Sequence, residues 1–311
     1  MLFVLNLEQS YLGRFDEAEN TLRRAAGRGL EIDELLMLQY DLGFLRGDNA
    51  AMARAATKAR ERSGAETWIA YKEASAVAYS GHLRQARVLT QRAIDQGIQA
   101  AQPERVSLWE AGESIREAFF GNAPGAKKKA NDALKLSNNS EVEYGAALAL
   151  AIVGDARAQT LADDLEKRFP ENTLVRFSYL PVIRARTALN KNDASKAIEI
   201  LQLAVPNELG ASHELIGALY PVYVRGEAYL AARQGAQAAA EFQKVLDHRG
   251  IVNSDPIGAL AHLQLGRAFA MSGDKMKAKA SYEDFLGLWK DADRDIPIRV
   301  RAQAEYANLN H

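Results

Sequence analysis

Gly13, Gly47 and Gly81 stand 34 residues apart, and five residues after each come Ala18, Met52 and Ala86. Glycine takes the left-handed backbone conformation that closes a helix. A small residue in the following turn lets the next helix lie close against the first. A fixed period of this length is the signature of stacked antiparallel helix pairs. Each pair buries its apolar face only against its neighbours, so the chain grows as an array, whatever domain count its length suggests.

Aligned on the turn residue, the sequence divides into eight units. The turns fall at Gly13, Gly47, Gly81, Gly121, Gly154, Asn192, Arg233 and Gly273. Five residues on stand Ala18, Met52, Ala86, Ala126, Gln159, Ala197, Ala238 and Ala278. Successive turns are 34, 34, 40, 33, 38, 41 and 40 residues apart, so the later units carry insertions. The last two units repeat most clearly: Gly226, Tyr229, Ala238, Phe242 and Leu246 recur as Gly266, Phe269, Ala278, Tyr282 and Leu286. These residues resemble the tetratricopeptide pattern, with small residues where two helices touch and large ones filling the gaps between units. Apolar spacings of three and four predict helices throughout. The expected fold is therefore all-α: a right-handed superhelical solenoid of about eight tetratricopeptide-like repeats over residues 1–296. A C-terminal capping helix is expected over 297–311, with Pro297 in its first turn and Ile298, Ala302, Tyr306 and Leu309 covering the end of the stack. A bend is expected near Pro170 or between Asn207 and Ser212.

Composition narrows the function. The 311 residues are 48% hydrophobic and 25% charged with a formal net charge of −1, which gives no general attraction to nucleic acid or anionic membranes. There is no cysteine, hence no disulfide and no thiolate metal site. The longest apolar run, Tyr144 to Val153, is about half of what spans a bilayer. The opening segment lacks a basic n-region and reads as a helix under way, which leads us to expect a piece of a longer protein. Compartment is left open: cytoplasmic, or extracytoplasmic if an upstream span tethers the chain.

A narrower resemblance rests on Phe242 to Ile298. Asp247-His248-Arg249-Gly250 and Leu288-Trp289-Lys290-Asp291-Ala292-Asp293 resemble the tail of acidobacterial tetratricopeptide proteins, under a fifth of this chain. In that family the array commonly follows a eukaryotic-like serine/threonine protein kinase domain, or else a winged-helix DNA-binding domain. The resemblance implies a regulatory or sensory region, not a catalytic one. No glycine-rich phosphate loop, HRD loop or DFG motif is present, and His248-Arg249 is followed by Gly250.

No other constellation carries chemistry. His82, His213, His248, His262 and His311 never fall at the i, i+4 spacing of helical metal ligands. Asp291-x-Asp293-x-Asp295 opens like an EF-hand loop but has Ile296 and Ala302 where glycine and glutamate belong, so it reads as a solvated turn. No serine sits in a GxSxG elbow. Lys127-Lys128-Lys129 is a basic patch without interleaved aromatics. Catalytic, cofactor and metal sites are accordingly assigned to no residue.

In tetratricopeptide stacks the first helix of each unit lines a concave groove. Counting back from the turns places Met37, Asp41, Phe44, Trp68, Tyr71, Tyr79, Phe119, Tyr144, Tyr179, Arg186, Tyr220, Tyr223, Glu227 and Arg267 there. Tyrosine and tryptophan suit a binding surface, being large, rigid and polar at one end. The resulting reading is a non-enzymatic scaffold holding a protein or peptide in its groove, with no nucleic-acid partner through this region and no membrane span. Two rivals remain. One is an oligomerisation or spacer module, a homo-oligomer without separate ligand; the other is an enzyme or small-molecule sensor, which requires convergent polar groups in a closed pocket.

Overall fold

The computed structural model describes residues 1–30, 32–62, 64–210 and 219–309; His213 and His311, and the end of the expected Asn207–Ser212 bend, lie outside them. Among the described residues there are helices and no strands. Eight helix pairs follow one another: α1 (Leu2–Tyr11) with α2 (Phe15–Ala26), α3 (Asp33–Arg46) with α4 (Asn49–Arg60), α5 (Ala65–Tyr79) with α6 (Leu83–Gln99), and α7 (Pro103–Phe120) with α8 (Ala123–Leu136). Then come α9 (Ser140–Ile152) with α10 (Arg157–Arg168), α11 (Leu180–Asn190) with α12 (Ala194–Leu201), and α13 (Tyr220–Ala231) with α14 (Gly235–Asp247). A single turn, α15 (Arg249–Val252), precedes the last pair, α16 (Pro256–Met271) with α17 (Lys275–Leu288), and α18 (Pro297–Asn308) ends the chain.

The turn residues explain the pairing. φ is positive at all eight turn positions, from +60° at Asn192 and Arg233 to +91° at Gly121. At Gly47 the left-handed residue lets its own N–H reach the Phe44 carbonyl and the Asp48 N–H reach the Gly43 carbonyl, satisfying the helix end. The residue after the turn then caps the next helix: Asp48 accepts from Ala51 N–H, Asp193 from Lys196 N–H and Asp274 from Lys277 N–H. Ala18, Ala86, Ala126, Ala197, Ala238 and Ala278 are fully buried where the two helices cross. Two units differ. Met52 fills its position with a flexible side chain against Gly43, and Gln159 is exposed because Ala158 and Ala162 make the close contact instead.

In the sixth unit the first helix opens with a π-helical turn, Val175–Tyr179. Pro181 follows it after Leu180. It has no N–H to give the preceding turn, and the wider π geometry absorbs that missing donor.

The solenoid does not end in the open. α15 touches α1, α16 touches α5 and α7, and α18 packs on both α17 and α7. The Trp289 indole N–H donates to the Tyr79 carbonyl, 2.9 Å, and Asp293 N–H donates to the Gly81 carbonyl, 3.0 Å. Asp293 in turn accepts from Arg84 N–H, and Asp295 pairs with the Arg84 guanidinium at 2.8 Å. Gly81 is the turn that meets this segment: a Cβ there would lie 2.5 Å from Ala292 and 2.9 Å from Trp289. The Asp291–Asp295 segment, expected as a solvated turn, is thus half of a clasp. Likewise α18 seals a seam between the last and the middle repeats, with Pro297 against Gly121.

Candidate functional site

Closure divides the fourteen residues expected in the groove into four groups. Phe119, Tyr144, Tyr179 and Tyr223 are buried among rings: Phe119 lies 5.6 Å from Tyr220 and 5.4 Å from Tyr223, and Tyr144 stacks on Tyr179 at 3.9 Å. Arg186 and Glu227 pair with each other at 2.9 Å, while Arg267 forms a two-pronged pair with Glu305 on α18. Phe44 and Tyr79 meet edge to face at 5.1 Å and line a cavity of about 430 Å³ with Arg249, His262 and Asp284. Met37, Asp41, Trp68, Tyr71 and Tyr220 line a larger cavity of about 490 Å³. The expected groove is therefore not open at Phe119, Tyr144, Tyr179 and Tyr223. Its middle is filled by its own aromatic side chains: Tyr144 of α9 meets Tyr179 of the next unit, and Phe119 of α7 meets Tyr220 and Tyr223 of α13, three units further on.

The larger cavity is built from three walls. Phe3, Leu7, Ser10 and Tyr11 of α1 and Met37, Leu38 and Asp41 of α3 form the first. Trp68, Tyr71 and Lys72 of α5 with Arg105, Gly112, Ile115 and Arg116 of α7 form the second. Residues 250–256, running from α15 into α16, form the roof with Tyr220. Gly250 seats that roof, since a Cβ there would lie 1.8 Å from the Ser10 carbonyl oxygen, and Arg249 donates to the Leu45 carbonyl.

Charge in the cavity follows its depth. At the mouth, where side chains are half-buried, the Arg105 guanidinium lies 4.8 Å over the Trp68 ring and donates to Gly64 O and Gln102 Oε1. Burial lowers its pKa, against the pull of Glu66 and the acids of α3. Lys72 and Asp41 neutralise each other at 2.6 Å. At the floor, Tyr220 donates its phenol to Asp255 Oδ2, 2.6 Å, and Asp255 Oδ1 accepts Ile257 N–H at the start of α16. Burial pushes the Tyr71 phenol up to about 12, with the Arg116 guanidinium opposing. Arg116 itself is 3% exposed, donates through Nη2 to Thr90 Oγ1, and has a buried Nε without a partner.

Arg105, Arg116 and the 253–256 segment escaped the sequence reading. Arg105, Gly112 and Arg116 are spaced seven and four apart, which puts them on one face of α7; that spacing was the available signal. The three lysines read as a basic patch are all engaged: Lys127 with Asp155, Lys128 with Asp132, and Lys129 between Glu110 and Glu113 at 3.0 and 2.9 Å. Among the described residues no group of three His, Asp or Glu converges as a metal site, and no helix is long and apolar enough to cross a membrane.

No protein-family profile matches the chain, and no curated protein matches it. Solved structures do. Human IFIT1, solved as a dimer with m7Gppp-AAAA, aligns over 99% of this chain and 76% of its own at 16% identity and a TM-score of 0.50. Yeast Tom70 aligns over 99% of this chain and 81% of its own at 14% identity and 0.48, and the P58(IPK) TPR domain over 99% and 98% at 12% and 0.28. At such identities the likeness concerns fold, and the chain has the all-α, tetratricopeptide-like helical-repeat architecture.

Proposed function

We propose that this chain is a non-catalytic recognition scaffold that binds a short protein segment at the mouth of its larger inner cavity. In the full protein it serves as the regulatory region of a bacterial signalling protein, with a serine/threonine kinase as the attached head. The observation that carries the first statement is the mouth itself. There a half-exposed tryptophan lies under an arginine that has no carboxylate partner among the described residues, beside the balanced Lys72–Asp41 pair. Rigid aromatic and arginine side chains supply most of the binding energy at protein interfaces. What supports the second statement is the resemblance of Phe242 to Ile298, whose two marked stretches are the ones that clasp the array shut.

Selection of a random peptide library against the chain tests the mouth. Selected peptides are expected to lose at least tenfold in affinity when Trp68→Ala is combined with Arg105→Ala, with helical circular dichroism unchanged. Peptides that hold equally well to the double variant would place recognition elsewhere on the molecule.

A further inference from the structure

The floor of the same cavity has a different character from its mouth. Arg105 and Arg116 are 11 residues apart on one face of α7, about 16 Å along the axis at 1.5 Å per residue. Side chains around Arg116 are sealed from solvent: Ile115 is 1% exposed, and Tyr71 and Tyr220 are buried with it. Arginine keeps its charge when buried and carries five N–H donors. Among the described residues no carboxylate lies within ion-pair distance of Arg116, and its one hydrogen bond goes to a threonine hydroxyl. A buried charge without a counter-charge is costly, and the cavity beside it is of the size that holds small ligands.

The other lining charges lie at the mouth or are engaged: Asp33 and Glu34 lie within electrostatic reach of Arg105 at the mouth, and Asp33 also faces Arg62. Asp41 has Lys72, and Asp255 holds the Tyr220 phenol and the Ile257 N–H. A cationic ligand would find these acids taken. A dianion such as a phosphate monoester would bring two negative charges to a floor that holds one guanidinium, Arg116, and the Asp255 carboxylate. A single negative charge with an apolar body matches Arg116 together with the Tyr71, Ile115 and Tyr220 surfaces.

From this juxtaposition we infer that the floor of the cavity is a small-molecule site for a monoanionic carboxylate with an apolar or aromatic body, bound by Arg116. This goes beyond peptide recognition at the mouth and does not depend on it. Because the site lies between α7 and the roof at 250–256, its occupant bridges the middle repeats to the returning C-terminal segment. Binding of a ligand to the folded state alone raises its stability.

The test uses the whole chain at pH 7.5 with 3-phenylpropanoate, its uncharged amide and phenyl phosphate, read by calorimetry and by intrinsic tryptophan fluorescence. The acid is expected to bind at least tenfold more tightly than the amide or the phosphate and to raise the melting temperature. Arg116→Gln is expected to cut acid binding at least tenfold while leaving the amide unaffected, and Arg116→Lys to restore part of it. Arg105→Gln, at the mouth, is expected to leave acid binding unchanged while weakening selected peptides, so failure of one reading is separable from failure of the other. If Arg116→Gln does not fold, the acid-to-amide ratio of the unaltered chain decides alone. Equal affinity for acid and amide, preference for the phosphate, or no response to the acid or to a panel of aryl and alkyl carboxylates up to millimolar concentration would overturn the inference.

Discussion

Arg233 and Asn192 occupy turns at φ +60°, where the other six units have glycine. For a residue with a Cβ that conformation costs roughly 1–2 kcal/mol, and asparagine bears it better than arginine because its short amide bonds locally. Arg233 is exposed, and among the described residues no hydrogen bond or ion pair of its side chain offsets the strain. Arg233→Gly is therefore expected to stabilise the chain by about 0.5–1 kcal/mol, the strain relief less the greater entropy of glycine in the unfolded state. Chemical denaturation checks it, and a stability unchanged or lowered by the substitution would show that the turn is unstrained. The same residues explain why the pairing of helices was readable from sequence. A left-handed turn is a local requirement, and one residue type meets it at the lowest cost, so the period survives even where the rest of a unit has drifted.

At the scale of a helix, the sequence was less transparent. Counting back from a turn tells which residues of a first helix point inward, and it does so for Trp68, Tyr71 and Tyr220, which line the larger cavity. It does not tell whether inward means open. Phe119, Tyr144 and Tyr223 point inward too, but neighbouring rings cover them. Charged residues mislead in the same way. Lys129 reads as part of a basic face, yet the crossing of α7 and α8 holds it between Glu113, 2% exposed in its side chain, and Glu110. Burial raises the Glu110 pKa and Lys129 pulls it back. Lys129→Ala leaves both acids buried without their cation and is expected to cost about 3–5 kcal/mol. Glu110 then titrates higher still. A carboxyl whose folded pKa stands above its unfolded value weakens the fold above that range and ceases to do so once protonated. The deficit of the variant is thus expected to shrink as pH falls from 7 towards 5. Melting curves across that window check the prediction; a deficit constant with pH would mean that the lost contacts are packing alone.

The whole molecule departs from a solenoid in one respect, which no periodic reading contains. An open array is held by nearest-neighbour contacts, so its ends fray independently of each other. Here residues some 200 positions apart are joined, Trp289 to Tyr79 and Arg249 to Leu45. Such contacts leave no local pattern; the two joining stretches stood out in the sequence only as the residues that carry a family resemblance. The join should make distant ends unfold together. Gly250 is the place to test it, because α15 approaches α1 so closely that a methyl group would overlap the Ser10 carbonyl. Gly250→Ala is expected to lift the roof and to speed amide exchange both in 249–256 and in α1, in spite of their separation in sequence. Exchange in α9 and α10, which lie away from the join, is expected to stay as it was. If α1 kept its protection in the variant, the first repeat would be stable by its own contacts with α2 and α3. The cavity between it and the returning segment would then be a gap between independent ends, not a compartment that the fold holds closed.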